Sequence, residues 1–213
     1  MNHKFIGRTL SEIQEVSKLT WESDNLLRIT RRSKTEFLAG VLWKKRLVEL
    51  EDVTSLLDSD VSVITNIPSS GLWRGDAIHA CENRCVAWGR FGVLQSSTAN
   101  YDDPSEHRDK QVYFAARGIQ RHSRVVTFEF IFDKLFLATL NNGKEVRIGL
   151  VQAYDLTAED LRDAHDKLGD FDVALKNNPN GRITPDAYAA ANSMGVKVLN
   201  FGDLLGFLAW GGD

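Results

Sequence analysis

The sequence predicts an α+β or α/β protein in which a mixed β-sheet is flanked by helices. Residues 124–153 hold three apolar runs, rich in β-branched and aromatic residues and broken by short turns. From residue 157 onward helical and strand-like patterns alternate. Hydrophobic residues make up 43% of the 213, enough to bury one large core or two small ones.

Taken in order, Leu10, Ile13, Val16 and Leu19 recur at helical spacing and predict an amphipathic helix capped by Thr9 or Ser11. Residues 25–33 read as a strand that ends in a basic cluster of Arg28, Arg31, Arg32 and Lys34. Residues 35–57 read as mostly helical, with Phe37, Val41 and Leu42 facing the core. A short strand at 61–65, a loop at 68–71 and a helix at 75–84 follow, then a glycine-broken segment at 86–94. Residues 96–109 are polar and acidic and predict a mobile loop; 115–121 predict a helical turn leading into the apolar runs. No internal repeat is evident, and the domain boundary is placed near 120, separating an α/β region at 1–120 from a second region at 121–213.

The second region is more sharply written. Strands are expected at 125–132, 135–140 and 145–153, the last two joined by Asn141-Asn142-Gly143, a turn suited to positive φ. Thr157 caps a helix that Gly169 stops, with Glu159, Asp160 and Asp163 near its positive end. A strand at 171–176 leads through the loop 177–181 to a helix opened by Thr184-Pro185 and stopped by Gly195. A strand at 196–199 and a helix at 203–210 complete the order β-β-β-α-β-α-β-α.

That order, with Asp133 opening its second strand and Gln152 at the end of its third, resembles the restriction-endonuclease-like superfamily of the Mrr type over the last ninety or so residues. Tyr154 stands where that family carries lysine. The resemblance implies a Mg²⁺-dependent nuclease of defence or repair type, with Asp133, Gln152 and Tyr154 at the catalytic positions, and strand spacing adds Glu129 as a further catalytic candidate. A relative lacking the lysine would instead be a non-catalytic subunit that binds nucleic acid or protein on the same scaffold. Glu129 and Asp133 are the expected metal ligands, because an even spacing on a regular strand sends both to one face. Glu145 and Arg147 form a second acid–base pair nearer the turn.

Charge is close to balanced at −3, so composition alone calls for no nucleic acid. Its distribution is uneven: residues 1–124 hold 18 Lys and Arg against 16 Asp and Glu, and the remainder 8 against 13. Arg117, Arg121, His122 and Arg124 form a basic run; with Arg31, Arg32 and Lys34 they are the expected phosphate clamp. His79, Cys81 and Cys85 lack a fourth ligand, so no zinc is expected, and two cysteines fit a reducing compartment. Trp73 and Trp88 read as core residues before base-stacking platforms. The loop 177–181 precedes a helix N-terminus that would suit an anion. No apolar run approaches membrane-spanning length, and a cytoplasmic protein is expected, with nucleic acid, a protein partner or a second copy as its partner. A third reading is an α/β domain that takes a small molecule at the strand end after Lys176.

Overall fold

The computed structural model describes residues 3–68 and 70–212. The chain divides into two compact units, Met1–Asp109 and Lys110–Asp213, each built on its own mixed sheet flanked by helices.

In the first unit, α1 (His3–Ser11) precedes a meander of β1 (Val16–Trp21), β2 (Leu26–Arg31) and β3 (Glu36–Leu42). After β4 (Leu47–Val48) come α2 (Leu50–Leu57), β5 (Val63–Asn66), β6 (Leu72–Trp73), α3 (Gly75–Asn83), β7 (Ala87–Arg90) and α4 (Phe91–Asn100). The sheet runs β1-β2-β3-β5-β7, antiparallel through the meander and parallel beyond β3, while β4 and β6 form a separate parallel pair. Ile6 and Leu10 of α1, Val93 and Leu94 of α4 and the inward residues of the strands share one core.

The second unit consists of α5 (Lys110–Gln120), β8 (Val125–Phe132), β9 (Leu135–Leu140), β10 (Glu145–Val151), α6 (Ala158–Leu168), β11 (Val173–Lys176), α7 (Pro185–Met194), β12 (Lys197–Asn200) and α8 (Phe201–Ala209). Its sheet runs β8-β9-β10-β11-β12, again antiparallel for three strands and then parallel. A parallel bridge between Leu156 and Ile183 stands where the first unit has its β4–β6 pair.

The two units therefore share one plan, and the expectation of no internal repeat is corrected. Equivalent positions follow one another at nearly constant spacing along the sequence. Asp24 and Asp133 each lie just before the second meander strand. Gly40 and Gly149 sit mid-way along the third strand, where a Cβ would meet Leu56 or Phe171 at 3.0 Å. Glu51-Asp52 and Glu159-Asp160 open α2 and α6, each with a capping box. Gly71 and Gly181 press against the backbone carbonyls of Lys45 and Tyr154, where a Cβ would lie 2.5 and 2.0 Å from the oxygen. Phe91-Gly92 and Phe201-Gly202 open the last helix, and each phenylalanine ring is met by one from the first helix, Phe5 or Phe114. The matched positions are few, and the remaining side chains differ enough between the two units to hide the pattern.

Four further expectations change. The helix expected from Leu10 ends at Ser11, and Val16 and Leu19 belong to β1, whose residues pair with β2. Residues 36–42 form the middle strand β3, buried from Phe37 to Leu42; a strand covered on both faces shows no alternation and reads as helix. The 96–109 segment is anchored: α4 continues to Asn100, and the Arg31 guanidinium donates to the carbonyls of Ser97 (2.7 Å) and Asp102 (3.0 Å). The boundary lies at 109/110 rather than 120, because α5 buries Val112, Ala115, Ala116 and Ile119 and packs on β8 and β9 of its own unit. No helix among the described residues is long and apolar enough to cross a membrane.

Candidate ligand site at the end of the second sheet

Parallel register brings Val151, Lys176 and Asn200 side by side at one end of the second sheet. The turn bearing Asp133 lies at the same end, since Leu135 pairs with Gly149 and the Leu150 N–H donates to the Lys134 carbonyl at 2.8 Å. Asp133 thus lies at the same end of the sheet as Lys176 and Asn200.

The expected metal ligands do not share an environment there. Asp133 is buried (4% exposed), whereas Glu129 is exposed on the edge strand β8. An irregularity between Phe130 and Phe132 breaks the two-residue alternation on which their common face depended. Gln152 and Tyr154 are exposed beyond the end of β10, Tyr154 at 66%. Among the described residues no three His, Cys, Asp or Glu side chains lie close enough together to hold a metal ion. Glu129 and Asp133 thus do not form the paired donor set expected of them for Mg²⁺.

A cavity of ≈930 Å³ opens two strands away, at the carboxyl ends of β11 and β12. Three cations line it, Lys110 from α5, Lys176 from β11 and Arg182 from the loop before α7, together with Asn177, Phe114 and Phe201. No Asp or Glu is among its lining residues. Lys176 is only 4% exposed, and its Nζ donates to the carbonyls of Asn178 and Asn180. Among the described residues it faces no carboxylate within ion-pairing distance. The Asn177 amide nitrogen donates to the Gln111 carbonyl (3.0 Å), while its Oδ1 is buried without a hydrogen-bond partner. The Phe114 and Phe201 rings meet at 4.7 Å, tilted by 45°. Gly118 makes that approach possible, since a Cβ there would lie 2.2 Å from the Phe201 ring.

Residues Lys110, Phe114, Arg117 and Arg121 follow one another at i, i+4, i+7 and i+11, so they form one exposed stripe along α5 and the turn after it. The Arg121 N–H still donates to the Arg117 carbonyl at 3.1 Å. Neither arginine forms an ion pair among the described residues. Arg124 donates through Nη1 to Asn141 (3.5 Å), and its N–H meets the His122 ring nitrogen (3.3 Å), tying the end of the basic run to the β9–β10 turn.

The other half of the expected clamp lies in the first unit and is partly structural. Arg31 is 7% exposed, donates to two carbonyls and packs over the Phe37 ring at 5.1 Å; burial lowers its pKa from the ordinary arginine value. Placing it among phosphate ligands is corrected: its last-strand position and the apolar alternation of β2 turn it inward. Arg32 and Lys34 are exposed in the following turn, with Lys34 at φ 67°. Trp73 and Trp88 are core residues whose rings lie 5.5 Å apart. His79 is exposed and Cys81 buried on α3, and Cys85 follows at φ 54°. Sequence reasoning missed Lys110, Lys176 and Arg182 as a set because they come from three separate elements. A lysine closing an otherwise apolar strand was the one available signal.

Compared with protein-family models, curated proteins and solved structures, the chain matches none.

Proposed function

We propose that this is a nucleic-acid-binding protein whose second unit uses a nuclease-like scaffold to hold a strand rather than to cut it. The stripe Lys110–Phe114–Arg117–Arg121, running out of a cavity lined by cations and no carboxylate, carries the reading. Guanidinium groups free of ion pairs are available to phosphates, and an aromatic ring set among them accepts a base face. Three features speak for binding without cleavage: Glu129 is exposed where Asp133 is buried, Tyr154 stands where the family carries lysine, and among the described residues no group of three His, Cys, Asp or Glu side chains forms.

Fluorescence anisotropy of labelled single and double strands across a salt series tests it. Each phosphate contact adds about 0.7–0.9 to the slope of log K against log salt. Arg117→Glu with Arg121→Glu should therefore lower that slope by about 1.5 for any nucleic-acid sequence. Unchanged affinity in the double variant would reject the reading. Mg²⁺-dependent cleavage by the wild type, lost in Asp133→Ala, would restore the nuclease instead.

A further inference from the structure

We infer that the cavity of the second unit is an end-recognition site: it takes the terminal phosphomonoester of a strand, with the phosphate against Lys176 and the last nucleoside beside Phe114. The inference rests on the nucleic-acid reading and names what that site selects.

Lys176 supplies the first argument. A buried ammonium that, among the described residues, meets two neutral carbonyls and no carboxylate lacks the counter-charge that ordinarily offsets its desolvation. Lys110 and Arg182 add charge of the same sign around the same space, again with no acid in the lining. The missing partner is thus an anion brought by the ligand. A terminal phosphomonoester carries about −1.5 to −2 at neutral pH, against −1 for an internal diester, so the end of a strand compensates three cations better than its middle.

The rings supply the second. Phe114 is 58% exposed and Tyr188 49%, both in the lining, and both offer faces on which a base stacks irrespective of its identity. The cavity's size suits one nucleotide, and from there the α5 stripe leads the strand outward over Arg117 and Arg121.

The test compares 12-nucleotide single strands ending in 5′-phosphate, 3′-phosphate or hydroxyl at both ends, competed against a labelled strand on the full chain. One phosphorylated end should bind at least about tenfold tighter than the hydroxyl-ended strand. Lys176→Met should remove that preference, and thermal melts establish that the variant folds. Arg182→Gln, at the exposed side of the cavity, should reduce the preference partway. No preference for either phosphorylated end, or a preference that survives Lys176→Met, overturns the inference while leaving strand binding by α5 intact. If no strand binds at all, the nucleic-acid reading fails, and titration with AMP decides the cavity: binding abolished by Lys176→Met makes it a free-mononucleotide site and overturns end recognition.

Discussion

Cys81 and Cys85 show how far four positions can separate two identical side chains. Burial pushes the Cys81 thiol up to about 12, while Cys85 stands exposed in the turn after α3. The thiolate is the reactive form, so at pH 8 Cys81 offers roughly one part in ten thousand of it. We predict one thiol reacting with Ellman's reagent in the native protein and two in denaturant. The same shift fixes a pH dependence. The folded state keeps its proton to about pH 12, whereas the unfolded chain releases it from pH 9.0 upward. Stability is therefore unaffected by this group below pH 9 and falls above it, by up to about 1.4 kcal/mol per pH unit. Denaturant midpoints for Cys81→Ala that decline over pH 9–11 as steeply as the wild type would remove Cys81 as the cause. Asp133 offers a second lesson at this scale: its place at the head of a strand was legible, but its burial was not, because a turn residue's exposure depends on what covers the turn.

Among the elements, α5 joins fold to site. It buries Val112, Ala115, Ala116 and Ile119 on one side and presents Lys110, Phe114 and Arg117 on the other. Gly118 lies between these roles. Glycine in a helix interior ordinarily costs about 1 kcal/mol relative to alanine, so Gly118→Ala would be expected to stabilise α5. The Phe201 ring reverses the sign, since the new methyl would overlap it at 2.2 Å. We predict that Gly118→Ala lowers the melting temperature, whereas Gly92→Ala, whose Cβ meets nothing within 4 Å, does not. A rise in melting temperature for Gly118→Ala would show that Phe201 yields at no cost. The helices of the second unit were readable because their stops are local: Gly169 at φ 78° and Gly195 at φ 69° adopt backbone that other residues resist. Strand β3 was misread for the opposite reason, since its burial comes from elements on both sides.

For the whole molecule, two units with separate cores and the same strand order predict separate folding. Residues 110–213 alone should unfold cooperatively with native-like circular dichroism, while residues 121–213, stripped of α5, should not. A cooperative transition in the shorter segment would show that α5 is dispensable to the core. The shared plan also bears on function. The positions of Lys176, Asn177 and Asn200 are held in the first unit by Asn66, Ile67 and Arg90. Asn66 is fully buried and donates to the Lys45 carbonyl at 2.9 Å, so the ammonium has no counterpart there. The phosphate site inferred for the second unit therefore has no match at the corresponding place in the first.

By itself, the sequence determined the mixed α+β class, the order of elements in the second unit, the buried tryptophans and the exposed arginines before β8. These are local properties: period, turn chemistry, capping and the run of charge act over a few residues. Only the tertiary structure decided that the chain repeats one plan, that Arg31 turns inward, and that Glu129 and Asp133 part company. It alone assembled Lys110, Lys176 and Arg182 around one space. A cavity is made by strand register and helix packing between residues far apart in the chain, and burial is set by neighbours that no local pattern names.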